Sequence, residues 1–188
     1  MARVLITRRI PGAALERLTE AHEIEVWPER LPPSPERLRE LVADAEGLLS
    51  MVTDQIDGEL LDRSDFVSLH VPLKPETQGL IGARALELMK PTALLINTAR
   101  GPVVDHEALY RALCDGEIAG AALDVTDPEP LPADHPLLRA PNLLVVPHVG
   151  AATVGTREQM TALAVDNLLA GLAGERMPHQ ANEPRPTH

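Results

Sequence analysis

The sequence predicts an α/β protein built on parallel sheets, on three observations. Short apolar runs of strand length alternate with stretches of helical periodicity, two series of such units fill the chain, and most prolines fall between the units. Continuous apolar runs are the mark of strands buried on both faces, as parallel strands are. A chain of 188 residues with 44% apolar and 24% charged side chains can bury such a core in one ordinary domain or two small ones.

The first series opens with residues 3–7 as a strand, followed by Pro11 and by Ala14, Leu15 and Leu18 at helical spacing. Residues 22–27 form the next strand, 35–43 a helix with Ser34 as its N-cap, and 47–52 a third strand. The second series begins at Asp65: strand 66–70, turn-rich 72–77, a short helix over 83–89, and strand 93–97. Helix 105–114 follows, with Asp105 able to cap it, then strand 118–125, a proline-rich loop over 127–136 and strand 143–146. A helix over about 153–172 closes the series, with Met160, Leu163, Ala164 and Leu168 on one face. Between Leu60 and Ser64 a helix passes directly into the acidic start of a strand, and the join is abrupt.

Composition removes several classes of function. The 28 acidic and 17 basic residues leave a net charge of −11, and the basic residues are scattered, which argues against nucleic acid or an anionic membrane as partner. A single cysteine, Cys114, cannot form an internal disulfide, so a reducing cytoplasm is the simplest setting. The first twelve residues lack the apolar core of a secretory signal, and no stretch approaches the roughly 18 apolar residues of a membrane span. His106-Glu107 opens like a zinc-binding helix, but Tyr110 stands where the second histidine is needed, so no metal is expected. No Gly-x-Ser-x-Gly exists for a nucleophilic serine. No two of the twelve glycines are separated by a single residue, so Gly-x-Gly-x-x-Gly is excluded. Gly150 and Gly155 have phosphate-loop spacing, but Thr156 replaces the necessary lysine.

What remains lies at strand ends. Asn97-Thr98-Ala99-Arg100-Gly101 follows an apolar strand, and the carboxyl ends of such strands form the ligand crevice of an α/β sheet. Arg100 there is a candidate clamp for a carboxylate, although the motif taken alone reads better as a surface arginine capping a loop. Leu123-Asp124-Val125, Pro128-Glu129-Pro130 and Pro147-His148-Val149-Gly150 occupy corresponding places. A carboxylate favours the charged form of a neighbouring imidazole, so Glu129 and His148 are a candidate acid–base pair; spacing alone also fits a structural histidine.

Taken together, these motifs resemble the C-terminal half of the D-isomer-specific 2-hydroxyacid dehydrogenases, most closely the glyoxylate/hydroxypyruvate reductase and glycerate dehydrogenase branch. The resemblance rests on His70-Val71-Pro72-Leu73 with Glu76-Thr77-Gln78-Gly79-Leu80-Ile81, on Ile96-Asn97-Thr98-Ala99-Arg100-Gly101, on Gly120-Ala121-Ala122-Leu123-Asp124-Val125 with Pro128-Glu129-Pro130, and on Pro147-His148-Val149-Gly150-Ala151-Ala152-Thr153. It implies a flavodoxin-like substrate domain from residues 1–63 and 154–188, and the second half of a Rossmann nucleotide-binding domain from 64–153. The segment that would carry the glycine fingerprint is absent between Arg63 and Ser64, a loss of over roughly a hundred residues at about 30 per βαβ unit. Leu60-Leu61-Asp62-Arg63 resembles the helix end that normally precedes Ser64, so a deletion between similar segments fits, as does an engineered or omitted segment.

The same resemblance implies roles: Arg100 to bind the carboxylate and polarise the carbonyl of a 2-oxo acid, His148 to donate a proton to its oxygen, and Glu129 to keep His148 protonated. It places Asp124 on the nicotinamide carboxamide, Thr98 and Ala99 on the cofactor through their backbone, Val71 and Pro72 on the adenosine side, and Gly150 near the nicotinamide ribose. Met51 and Val52 would line the substrate pocket. The implied activity is NAD- or NADP-dependent reduction of a small 2-oxo acid, with weak cofactor binding and impaired turnover in a 188-residue chain. A non-enzymatic remnant that binds a small acid or pairs with another protein is the alternative. Strand 66–70, lacking its expected neighbour, is expected to be an association-prone edge, so oligomers are anticipated.

Overall fold

A computed structural model describes residues 1, 3–9, 13–45, 47–49 and 58–180. They divide into two compact units, Met1–Pro147 and His148–His188. The first unit holds two parallel sheets, as the alternating pattern predicts.

Strands β1 (Arg3–Ile6), β2 (Glu23–Val26) and β3 (Gly47–Leu49) form one sheet in the order β2-β1-β3. Helix α1 (Ala13–Ala21) connects the first two, and α2 (Pro35–Val42) the second and third. Ser34 caps α2 by accepting from the Arg37 N–H at 3.2 Å, with Pro35 opening the helix where no amide partner is needed. Leu38 and Leu41 then face inward and, with Leu5 and Leu60, make the first core, against which Trp27 packs. Residues 50–52 of the anticipated third strand, Met51 and Val52 included, lie outside the described residues.

The second sheet has the order β4-β5-β6-β7, from Phe66–Leu69, Leu94–Asn97, Gly120–Leu123 and Leu143–Val145. Helices α4 (Ala83–Glu87) and α5 (His106–Asp115) make the crossovers. Asp105 caps α5 by accepting from the Glu107 and Ala108 N–H groups, each at 3.0 Å, and Gly116 ends it at φ +71°. The second core is built on Leu86, Leu95, Leu109 and Leu123, all fully buried. β6 is shorter than the 118–125 apolar run because Ile118 and Val125 are buried as its lead-in and exit without laddering.

Helix α3 (Gly58–Arg63) joins the two sheets: Leu60 belongs to the first core and its neighbour Leu61 to the second. Arg39 pairs with Glu59 at 3.0 Å, and Arg63 donates to the Ala43 carbonyl at 3.1 Å. At the abrupt join, Ser64 closes the helix, its hydroxyl donating to the Leu60 carbonyl at 2.6 Å, and β4 starts two residues later. Beyond that point Lys90 pairs with Asp65 at 3.0 Å.

The second unit contains α6 (Val154–Leu172), capped by Thr153 accepting from the Thr156 N–H. The helix matches the expected span, but none of its residues is buried, and Met160, Leu163 and Leu168 are exposed. Its apolar residues run round the cylinder rather than along one stripe, and among the described residues of this unit there is no other helix or strand. Among the described residues no helix is long and apolar enough to cross a membrane.

Candidate active site

Because β4 to β7 are parallel and adjacent, their carboxyl ends fall along one edge of the sheet. Three of these ends carry residues singled out by the sequence.

After β4, Val71 is half-buried against the second core and Pro72 is exposed. The Pro72 carbonyl accepts from the Thr77 hydroxyl at 2.7 Å, and that hydroxyl accepts in turn from the Lys74 N–H at 2.9 Å, which folds the 72–77 turn. At the strand end, Ser68 and His70 share a hydrogen bond of 2.8 Å.

After β5 the chain turns on Asn97, which is fully buried. Its side-chain amide donates to the Arg100 carbonyl and its side-chain oxygen accepts from the Ala99 N–H, both at 3.0 Å. The turn holds Ala99 buried and presents Thr98 and Arg100 at the surface, where Arg100 donates to the Ala99 carbonyl at 2.6 Å. An exposed guanidinium on a braced turn is suited to bidentate capture of a carboxylate.

After β6, Asp124 is buried, and its N–H donates to the Asn97 carbonyl at 2.9 Å. The exit continues through buried Val125 and Thr126, whose hydroxyl donates to the Pro128 carbonyl at 2.9 Å and shapes the 127–130 loop. Glu129 is exposed on that loop. The β5 and β6 exits are in backbone contact: a β-carbon on Gly101 would lie 2.0 Å from the Thr126 carbonyl oxygen. Only glycine permits that approach.

The structure thus brings Arg100, Asp124 and Glu129 onto neighbouring strand exits, with Thr98 and Ala99 between them and Val71 and Pro72 on the adjoining strand. His148 and Gly150 belong to the second unit. His148 has φ +52°, in the left-handed region, at a cost of about 1 kcal/mol for a residue with a β-carbon. The following turn is closed by the Ala152 N–H donating to the Val149 carbonyl at 2.9 Å. Met51 and Val52 lie outside the described residues. Among the described residues no group of three or more His, Cys, Asp or Glu side chains could hold a metal.

Three residues have structural roles that their sequence motifs did not assign. Asn97 braces the arginine turn and Gly101 welds two loops; both stand inside the motif that carries Arg100, and a polar residue ending a buried strand is the available sign of the first. Buried His106 was visible only as half of a failed zinc motif.

The model of the D-isomer specific 2-hydroxyacid dehydrogenase NAD binding domain matches residues 39–150. A glyoxylate reductase of Thermofilum pendens is 55% identical over 124 residues, covering 66% of this chain and 37% of the relative. A human glyoxylate reductase/hydroxypyruvate reductase is 51% identical over 122 residues, covering 65% and 37%. The chain therefore spans little more than a third of the length of these curated relatives. Among solved structures, a D-isomer specific 2-hydroxyacid dehydrogenase from Xanthobacter autotrophicus Py2 superposes with a TM-score of 0.66 at 33% identity, over 96% of this chain and 56% of that one. The NAD-complexed form of the enzyme of the same description from Lactobacillus delbrueckii ssp. bulgaricus gives 0.67 at 29% identity, over 96% and 56%.

Proposed function

The chain belongs to the D-isomer-specific 2-hydroxyacid dehydrogenase family, and from that premise we propose that it carries the proton-transfer half of an NAD(P)H-dependent reductase for a small 2-oxo acid of the glyoxylate or hydroxypyruvate type. The observation that carries this reading is Arg100, exposed on a turn that Asn97 braces at the carboxyl end of β5, next to the exits that bear Asp124 and Glu129. In this reading Arg100 receives the substrate carboxylate and polarises the adjoining carbonyl. His148 donates a proton to the carbonyl oxygen, and Glu129 keeps the imidazole charged until it does. NAD(P)H supplies the hydride when bound. Residues 1–63 and 154–188 correspond to the substrate part, residues 64–153 to the second half of the nucleotide-binding part, and a reducing cytoplasm fits the lone cysteine.

The residues present fit one end of the cofactor. The Asp124 carboxylate, buried at a strand exit, suits the carboxamide N–H groups of nicotinamide, and the 98–99 backbone and Val71-Pro72 offer surfaces to either side. Nothing in the sequence supplies the glycine turn that receives a pyrophosphate, so cofactor binding is weak and turnover impaired. Hydroxypyruvate-dependent NADH oxidation by purified chain of confirmed intact mass, at ordinary cofactor concentration, would refute the impairment.

That missing anchor also favours a second reading, a small-acid-binding module without turnover. Calorimetric titration with hydroxypyruvate in the absence of cofactor separates the two. Binding that disappears in Arg100→Gln supports the module, and no binding leaves an inert remnant of the enzyme.

A further inference from the structure

His106 opens α5 and is 9% exposed. Neither ring nitrogen makes a hydrogen bond to any described group. Every imidazole carries at least one N–H donor, and the neutral ring also carries an acceptor, so both capacities are spent without return in a buried place.

Three elements face this ring with charged or titratable groups. Asp105 comes from the cap of α5, Asp127 from the loop after β6, and His135 from the start of the 3-10 turn Pro136–Arg139. Burial acts most strongly and disfavours the charged ring, and His135 acts in the same sense; the Asp127 backbone and the Asp127 and Asp105 carboxylates oppose them. The Asp127 backbone is near enough to act on the ring, but short of hydrogen-bond geometry. On its other flank the same loop is pressed against Gly101 and tied by Thr126 to Pro128. His106 is therefore a buried titratable ring beside the root of the loop that presents Glu129.

We propose that His106 is a positioning residue whose protonation sets the 127–130 loop, and with it Glu129. The neutral ring packs as a spacer beneath the loop. The protonated ring has two donors, one of which takes up the Asp127 carbonyl and draws the loop toward the start of α5. Its consequence for proton transfer rests on the reading of Glu129 as partner of His148, but the loop movement itself does not.

The test is nuclear magnetic resonance of the full 188-residue chain, following the His106 ring and the Asp127 and Glu129 amides from pH 8 to pH 5. The expected result is that both amides move with the His106 midpoint, below the ordinary histidine value, and that this movement is lost in His106→Gln and kept in His135→Gln. Amides that stay still through the His106 titration, or that follow the midpoint of another histidine, overturn the proposal. Midpoints compared within the unaltered chain decide the matter if His106→Gln does not fold. Hydroxypyruvate titration of Glu129→Gln is read separately: unchanged affinity and pH dependence there remove the catalytic role of Glu129 while leaving the positioning by His106 intact.

Discussion

Replacement of Gly101 by alanine tests whether the Arg100 and Glu129 loops are held as one piece. The added β-carbon would meet the Thr126 carbonyl oxygen at 2.0 Å, its carbon at 2.1 Å and the Asp127 nitrogen at 2.7 Å. Carbon and oxygen settle no closer than about 3.3 Å, so the two exits must part by about 1.3 Å. All three obstacles are backbone, and no rotamer change relieves them. Overpacking in a core costs about 1–3 kcal/mol, and this case belongs at the upper end. The backbone at Gly101 is not left-handed, so alanine also restricts the unfolded chain, which returns about 0.5 kcal/mol. The net loss is about 2.5 kcal/mol, and with a urea slope of about 2 kcal/mol/M the midpoint falls by about 1.2 M. Far-UV circular dichroism during urea titration measures this, while Trp27 fluorescence follows the first sheet, where the substitution has no contact. Hydroxypyruvate affinity should fall with stability, because Arg100 and Glu129 no longer share a frame. A midpoint within about 0.2 M of the parent chain would refute the reasoning.

Asn97→Ala removes both hydrogen bonds that shape the arginine turn and leaves buried backbone groups unpaired; a loss of about 1–3 kcal/mol is expected, read as a lowered thermal midpoint together with weaker hydroxypyruvate binding. Stability should also depend on pH through His106. Burial holds its folded-state pKa below the ordinary value, so the unfolded chain binds the extra proton first, and stability is full above about pH 6.5 and declines as the pH falls toward the folded value. Denaturation midpoints at pH 7.5 and 5.5 measure the slope, which His106→Gln should flatten. Phe66 is 65% exposed on β4, which among the described residues has a strand neighbour on one side only, so self-association through this edge is expected in sedimentation velocity, and Phe66→Lys should shift the chain toward monomer. A well-behaved monomer before substitution would count against it.

The alternation of strands and helices was legible because buried parallel strands read as bare apolar runs, and the caps at Ser34 and Asp105 appear where the side-chain chemistry predicts them. The run at 118–125 overshot its strand because apolarity reports burial, and Ile118 and Val125 are buried outside the ladder. The proline-rich loop runs into a 3-10 turn that His135 caps through its ring, a role that no local pattern advertises. The place of Arg100 after a strand was legible, and the Asn97 brace is local to the same motif, whereas the approach at Gly101 depends on the neighbouring exit at Thr126, more than twenty residues along the chain. The burial of His106 could not be read from its failed zinc motif, since it is set by what surrounds the residue in space.

In the proposed reading these contacts also locate the impairment. Asn97, Gly101 and Thr126 brace the strand exits by bonds within this sheet and its exits, so capture of a carboxylate by Arg100 should not depend on the glycine-bearing part. The cofactor does not fare equally. A pyrophosphate at a helix N-terminus gains roughly three hydrogen bonds to charged oxygens at about 1.5 kcal/mol each, and about 0.5 kcal/mol from the dipole. Losing about 5 kcal/mol weakens binding by roughly 4,000-fold, which moves a micromolar dissociation constant into the millimolar range. Turnover should therefore emerge only at millimolar NADH, rising linearly with cofactor concentration while the hydroxypyruvate dependence saturates normally. Saturation in NADH at micromolar concentration would show that the anchor has been replaced by another part of the molecule.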